Sequence, residues 1–297
     1  MADISDFDYG GQAVMEGVMM RGRRNVAVAV RHPSGRIVLH LEPLEGSLYS
    51  SRWAKVPFLR GLLVLWDTLI LGVRALIFSA NVALEEEKVE FKGPAVWGMV
   101  LVSLAFTIGL FFLLPVLLVG LVDRFIPSSF LINILEGLLR LGLFIGYIAL
   151  IGIWPDIRRF FAYHGAEHKA INAYEAGAPL TPQSVSSYTT AHVRCGTGFL
   201  LVVLVSSIFL FALIGRPPFL WRLLSRILLI PLMVSLSYEF IKFAAHHQDN
   251  PLLRALLYPG LALQGLTTRE PEEGMLEVAI AALNSLLDAE REEAAPT

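Results

Sequence analysis

Apolar residues in this chain are gathered into long blocks separated by polar stretches. Four blocks, at about 95–122, 130–154, 199–214 and 219–243, carry few charges. A bilayer core is crossed by about 20 apolar helical residues, so these blocks predict four transmembrane helices. Pro115 lies inside the first, where a kink is tolerated because neighbouring groups can satisfy the freed carbonyl. Arg222 and Arg226 lie near the start of the fourth, and their long side chains are expected to snorkel to the interface.

A fifth block, 56–84, has a different character. Arg60, Asp67 and Arg74 recur every seven residues, which places all three near one helical face. A charge at the bilayer centre costs at least about 2.5 kcal/mol. A helix lying flat in the interface, with that face toward water, avoids the cost; a span packed inside a bundle is the alternative. Glu85-Glu86-Glu87-Lys88 then ends the block in water.

Between 9 and 55 the pattern changes to short β-prone runs. Residues 26–30 and 36–41 flank His32-Pro33-Ser34-Gly35, which predicts a hairpin. The glycine-punctuated stretch 11–22 predicts a further strand with tight turns. Beyond 249, Asn250-Pro251 and Pro259-Gly260 mark turns. Met275, Val278, Ala279, Ala282, Leu283 and Leu286 form a helical stripe within 272–293, with Pro271 in its first turn. The expected fold class is a mainly α integral membrane protein. It has about four transmembrane helices plus an interfacial amphipathic helix, a small N-terminal β-rich cytoplasmic domain and a C-terminal cytoplasmic helix. The expected divisions are 1–55, the β-rich domain; 56–94, the interfacial helix and linker; 95–248, the membrane domain with a loop at 155–197; and 249–297, the C-terminal segment.

Composition agrees with a membrane protein. Hydrophobic residues make up 55% and charged residues 17%, against roughly a quarter charged in soluble domains. A net charge of -2 argues against a nucleic-acid partner. The single cysteine, Cys195, excludes an intrachain disulfide. Residues 1–8 are acidic and lack the basic and apolar regions of a cleavable signal peptide. Eleven Lys or Arg precede Ala95, and the 155–197 loop adds Arg158, Arg159, Lys169 and Arg194. The connectors 123–129 and 215–218 hold one arginine each. The positive-inside rule therefore puts both termini and the loop in the cytoplasm, with the chain in the cell inner (plasma) membrane.

The candidate chemistry sits in that loop. His164-Gly165-Ala166-Glu167-His168 places two imidazoles four residues apart, with a carboxylate between them. The spacing matches the inverted zincin pattern, in which two histidines hold zinc and the glutamate is a general base. A third protein ligand is required, and His192, Cys195 and Glu239 are the candidates. Histidine and cysteine three apart are a plausible ligand pair, although a lone cysteine is more often a small buried hydrophobe. Glu239 is a carboxylate inside an apolar run; an ion pair with Lys242 is its bland alternative. His246-His247 and Asp249 lie just beyond, and two adjacent histidines point different ways on a helix. The glycines at 10–22 suit tight turns better than a nucleotide loop, since neither a GxGxxG order nor a P-loop lysine is present. Glu16, Arg21 and Arg23 are expected to pair within the N-terminal domain or to face the loop.

Four ordered motifs carry a family resemblance. They are the stretch from Gly10 to Gly22, Tyr163-His164-Gly165-Ala166-Glu167-His168-Lys169 with Tyr174-Glu175, His192-Val193-Arg194-Cys195-Gly196-Thr197, and Leu263-Gln264 with 266–271. The chain resembles the DUF1385 family, the YqhQ-like bacterial membrane proteins, commonly labelled predicted metal-dependent enzymes. Val193 and Gly198 depart from that pattern without removing a candidate ligand.

Two functions are compatible with these residues. The first is a zinc-dependent hydrolase or peptidase at the cytoplasmic face, with Glu167 as base and His164, His168, His192, Cys195 or Glu239 as ligands. The second is a membrane scaffold or assembly factor in which the same cluster is a structural knot. The expected partners are the lipid bilayer and a membrane-protein complex or homo-oligomer.

Overall fold

The computed structural model describes residues 9–44, 56–87, 91, 93–247 and 250–294. The acidic start at 1–8, Lys88 and Asp249 lie outside these residues, as does the side chain of His246.

The glycine-punctuated start forms two strands, β1 (Gly10–Val14) and β2 (Gly17–Arg21), joined by Met15 and Glu16. The expected hairpin follows as β3 (Asn25–Arg31) and β4 (Ile37–Pro43). All four pair antiparallel in sequence order. Gly17 is required at the β2–β3 contact, where a Cβ would lie 2.2 Å from the Ala29 carbonyl oxygen.

The alternating Val and Ala of β3 have a simple cause. A strand buried on both faces reads as a continuous apolar run. Val26, Val28 and Val30 face α1 (Leu59–Ala83), where they meet Leu71 and Ala75. Ala27 and Ala29 face the other way, into a core with α5 (Pro155–Glu175) and α11 (Glu273–Ala294). Small residues on that face let α11 approach closely. The expected C-terminal stripe, from Met275 to Leu286, is buried there. The N-terminal sheet, the loop helix and the C-terminal helix thus share one core.

Helix α1 turns Arg60 and Asp67 against protein, while Arg74 is 63% exposed. Arg60 meets Glu239, Asp67 accepts from Arg21 at 2.7 Å and Arg74 reaches Glu42 at 3.2 Å. Glu16 faces the 155–197 loop, where it pairs with Arg159 of α5.

The apolar blocks form α2 (Pro94–Ile108), α3 (Leu114–Val122), α4 (Ser129–Ile151), α7 (Gly196–Ile214), α8 (Phe219–Leu228) and α9 (Ile230–His246); α6 (Pro182–Ser186) is a short turn in the loop. Among the described residues, four helical stretches are long and apolar enough to cross a membrane: Leu59–Ala83, Val96–Phe125, Ser129–Ile151 and Gly196–Ile214. The expected fourth span is a bent pair, α8 with α9, at 43°. Pro231 enters the first turn of α9, where its missing N–H breaks the straight path. Pro115 follows a π-helical turn, Gly109–Leu113, which accommodates it.

Two sequence expectations are corrected here. Arg222 and Arg226 do not snorkel: they are 3% and 0% exposed and turn inward to Glu136. Charge pairing inside the bundle outweighs reach to the interface. The expected turns at 250–251 and 259–260 belong to one helix, α10 (Pro251–Thr267). Asn250 caps it by accepting from the Leu252 N–H, and Pro251 occupies its first turn. Gly260 lets α10 cross α7 closely, since a Cβ there would sit 3.3 Å from the Gly198 Cα. Packing therefore overrides the turn signal.

Candidate metal centre

Helix α5 places His164 and His168 one turn apart on the same face, with ring centroids 4.4 Å apart. Pro155 begins the helix and Gly165 lets it lie against the chain after α10. A Cβ at Gly165 would be 2.1 Å from the Arg269 carbonyl oxygen, and the Arg269 N–H donates to the Phe161 carbonyl.

Cys195 is the N-cap residue of α7 and comes from the opposite side. Its Sγ is 3.4 Å from His164 Nε2. The nearest ligand atoms of His164, His168 and Cys195 all lie within 4.8 Å of one another. Zinc with a nitrogen at about 2.0 Å and a sulfur at about 2.3 Å in tetrahedral arrangement separates the two by roughly 3.5 Å. The His164–Cys195 separation fits that value.

Both histidines are oriented by backbone carbonyls. His164 Nδ1 lies 2.8 Å from the Thr267 oxygen and His168 Nδ1 lies 2.5 Å from the Thr190 oxygen. A carbonyl only accepts, so each Nδ1 carries a proton, and in the neutral imidazole Nε2 is then the nitrogen with the lone pair. This is the arrangement in which metal-binding histidines are held.

Glu167 is buried beside this group, with a carboxylate oxygen 3.4 Å from His168 Nε2. Burial pushes its carboxyl above the usual range; His164, His192, the Gly11 N–H and Arg194 pull it back in part. The Gly11 contact gives the glycine-rich start a role beyond turns. A Cβ there would lie 2.4 Å from the Met19 carbonyl oxygen and 2.9 Å from Glu167 Cγ.

The structure does not gather every expected ligand. His192 is buried and its ring is 5.6 Å from that of His168, but its Nε2 faces Glu175 at 3.7 Å. It stands outside the group of three. Glu239 lies elsewhere: its carboxylate accepts from Arg60 and from the Phe58 N–H, and it joins α9 to α1. Its partner is thus Arg60, on a helix far away in sequence, and it stands outside the group of three. His247 Nδ1 lies against the Phe243 carbonyl at 2.8 Å, also outside the group.

Gln264 is a further residue of this site, which spacing alone does not mark. It donates to the His192 carbonyl and accepts from the His192 N–H, each at 2.8 Å. Its place in the Leu263-Gln264 motif is the only sequence signal for it. The carbonyls of Thr190 and Thr267 have none, because backbone groups are common to all residues.

The family model described as "Protein of unknown function (DUF1385)" matches residues 56–289. The chain belongs to this family. It is 35% identical over 292 residues to the uncharacterized protein YqhQ of Bacillus subtilis (strain 168), covering 94% of this chain and 92% of that protein. No solved structure matches it.

Proposed function

We propose that this DUF1385 chain is a membrane protein that holds zinc at its cytoplasmic face through His164, His168 and Cys195. The observation that carries the proposal is the pairing of both Nδ1 atoms with backbone carbonyls, together with the gathering of ligand atoms of His164, His168 and Cys195 within 4.8 Å of one another, His164 Nε2 lying 3.4 Å from Cys195 Sγ. Two imidazoles and a thiol suit zinc, and three protein ligands are the complement of a catalytic site. Bound zinc would supply Lewis acidity toward a carbonyl or a water. Glu167 would take the proton from the attacking water as general base, in a hydrolase or peptidase.

A second reading has its own support. The cluster ties α5 to the end of α10 and the start of α7, and Glu167 ties α5 to β1. A structural brace in a scaffold or assembly factor would use those same contacts.

Elemental analysis of the full-length protein, purified without added metal, tests the first step. About one zinc per chain is expected, and His168→Ala should lose it. Absence of metal, with no thermal shift on adding zinc, would end the zinc reading. Glu167→Gln separates the two roles: a base variant keeps its metal and melting temperature but loses turnover, whereas a brace variant melts earlier.

A further inference from the structure

A second polar cluster lies between α4 and α8, well away in sequence from the histidines. Asn133, Glu136 and Arg140 share one face of α4, and Arg222 and Arg226 lie one turn apart on α8. Glu136 accepts from all three arginines: Arg140 Nη2 at 2.8 Å, Arg222 Nη2 at 2.9 Å and Arg226 Nε at 2.7 Å. None of these four charged side chains is more than 4% exposed.

The remaining contacts of Arg140 and Arg226 are neutral. Arg140 Nε donates to the Phe111 carbonyl at 2.8 Å. That carbonyl lies in the π-helical turn before Pro115, where the proline lacks an N–H to donate. Arg226 Nη2 donates to Asn133 Oδ1, and its guanidinium lies 4.0 Å over the Phe211 ring. These groups hold the arginines in place and add no negative charge.

One further ion pair adjoins the cluster. Asp123, after α3, takes Arg216, after α7, and Arg222 Nη1 approaches Asp123 at 3.6 Å. Four arginines (140, 216, 222 and 226) therefore share two carboxylates (123 and 136), which leaves two positive charges uncompensated within this group. Excess charge among apolar helices is costly unless an anion offsets it.

Beside the excess charge lies a cavity of about 550 Å³. Arg216, Arg222 and Asp123 line it, together with Leu117, Gly120 and Phe219. The first turn of the ten-residue α8 borders it as well, and the N–H groups of such a turn favour an anion. Asp123 is the acidic group on its wall; Arg216 engages it, while its distance to Arg222 is long.

We propose that this cavity binds a phosphate group, presented by a phospholipid or as free phosphate. Guanidinium forks suit phosphate oxygens in paired geometry. Arg216 and Arg222 bring two guanidinium groups to one opening, Arg216 held by Asp123 and the Ile126 carbonyl and Arg222 by Glu136, so a bound phosphate would share them with these acceptors, backed by the buried charge of Arg140 and Arg226. The exposed Leu117 and Phe219 give the opening an apolar rim on which the glycerol end of a lipid can rest.

The test uses the full-length protein in dodecyl maltoside, with thermal unfolding and native mass spectrometry as readouts. The probes are sodium phosphate against sodium chloride at matched ionic strength, and phosphatidylglycerol against diacylglycerol, which lacks the phosphate. A phosphate-bearing probe should raise the melting temperature by several degrees and its phosphate-free control should not. A shift with both phosphate probes supports a site open to free phosphate; a shift with phosphatidylglycerol alone supports a lipid site. Arg216→Gln leaves Glu136 and its three arginines untouched and should weaken apparent affinity at least tenfold. Leu117→Trp places a bulky ring on the wall of the cavity and should reduce the shift by an independent route. No shift with either phosphate probe, or undiminished shifts in both variants, would overturn the proposal.

Discussion

Gly11 and Glu167 are joined by a backbone hydrogen bond, and there is no space for a side chain between them. A strand near the start of the chain therefore sets the position of the carboxylate in the middle of the candidate metal motif. Gly11→Ala would bring a methyl group within 2.9 Å of Glu167 Cγ and 2.4 Å of the Met19 oxygen. Overpacking of this kind costs about 1–3 kcal/mol. The variant should melt several degrees lower in a thermal unfolding scan, and an unchanged melting temperature would show that β1 yields freely.

The ligand assignment makes opposite predictions for two carboxyl- and thiol-bearing positions. Cys195→Ser should lower zinc content well below that of the parent, measured by elemental analysis. Glu239→Gln should leave the zinc content intact, because that carboxylate is engaged by Arg60 on α1. Retention of zinc by the cysteine variant together with its loss from the glutamine variant would reverse the assignment.

Chelation should destabilise the protein. A ligand that binds only the folded state contributes RT ln(1 + [L]/Kd), about 2.7 kcal/mol at a hundredfold excess over Kd. Treatment with a strong chelator should lower the melting temperature, and zinc added back in excess should restore it. His164→Ala should melt at one temperature with or without chelator.

Gln264→Ala removes both side-chain bonds to the His192 backbone at a buried site. An unsatisfied buried polar group costs about 1–3 kcal/mol. The variant should be less stable in the same scan. Because the segment from Thr190 to Cys195 would lose its anchor, zinc affinity measured by competition with a chelating dye should fall with it.

Glu136→Gln would leave Arg140, Arg222 and Arg226 without their shared carboxylate. Breaking a buried pair from one side costs about 3–5 kcal/mol. The purified variant should show a large loss of melting temperature or fail to accumulate in membranes. Stability equal to the parent would mean that the arginines are compensated by another anion.

What could be read in advance was whatever repeats locally. The apolar blocks, the hairpin at 25–43, the C-terminal stripe and the pairing of His164 with His168 follow from periodicities of two and 3.6, which depend only on neighbours in the chain. Choices among distant partners were decided by tertiary structure. Arg60 took Glu239, Arg222 and Arg226 turned to Glu136, and Pro259-Gly260 stayed helical against α7. Cys195 is one of three candidate ligands in the sequence; its position at the head of α7 gathers it with His164 and His168, while His192 and Glu239 lie outside that group. The physical reason is the same in each case: charge pairing, close helix contact and backbone hydrogen bonding act through space, and sequence spacing carries no record of them.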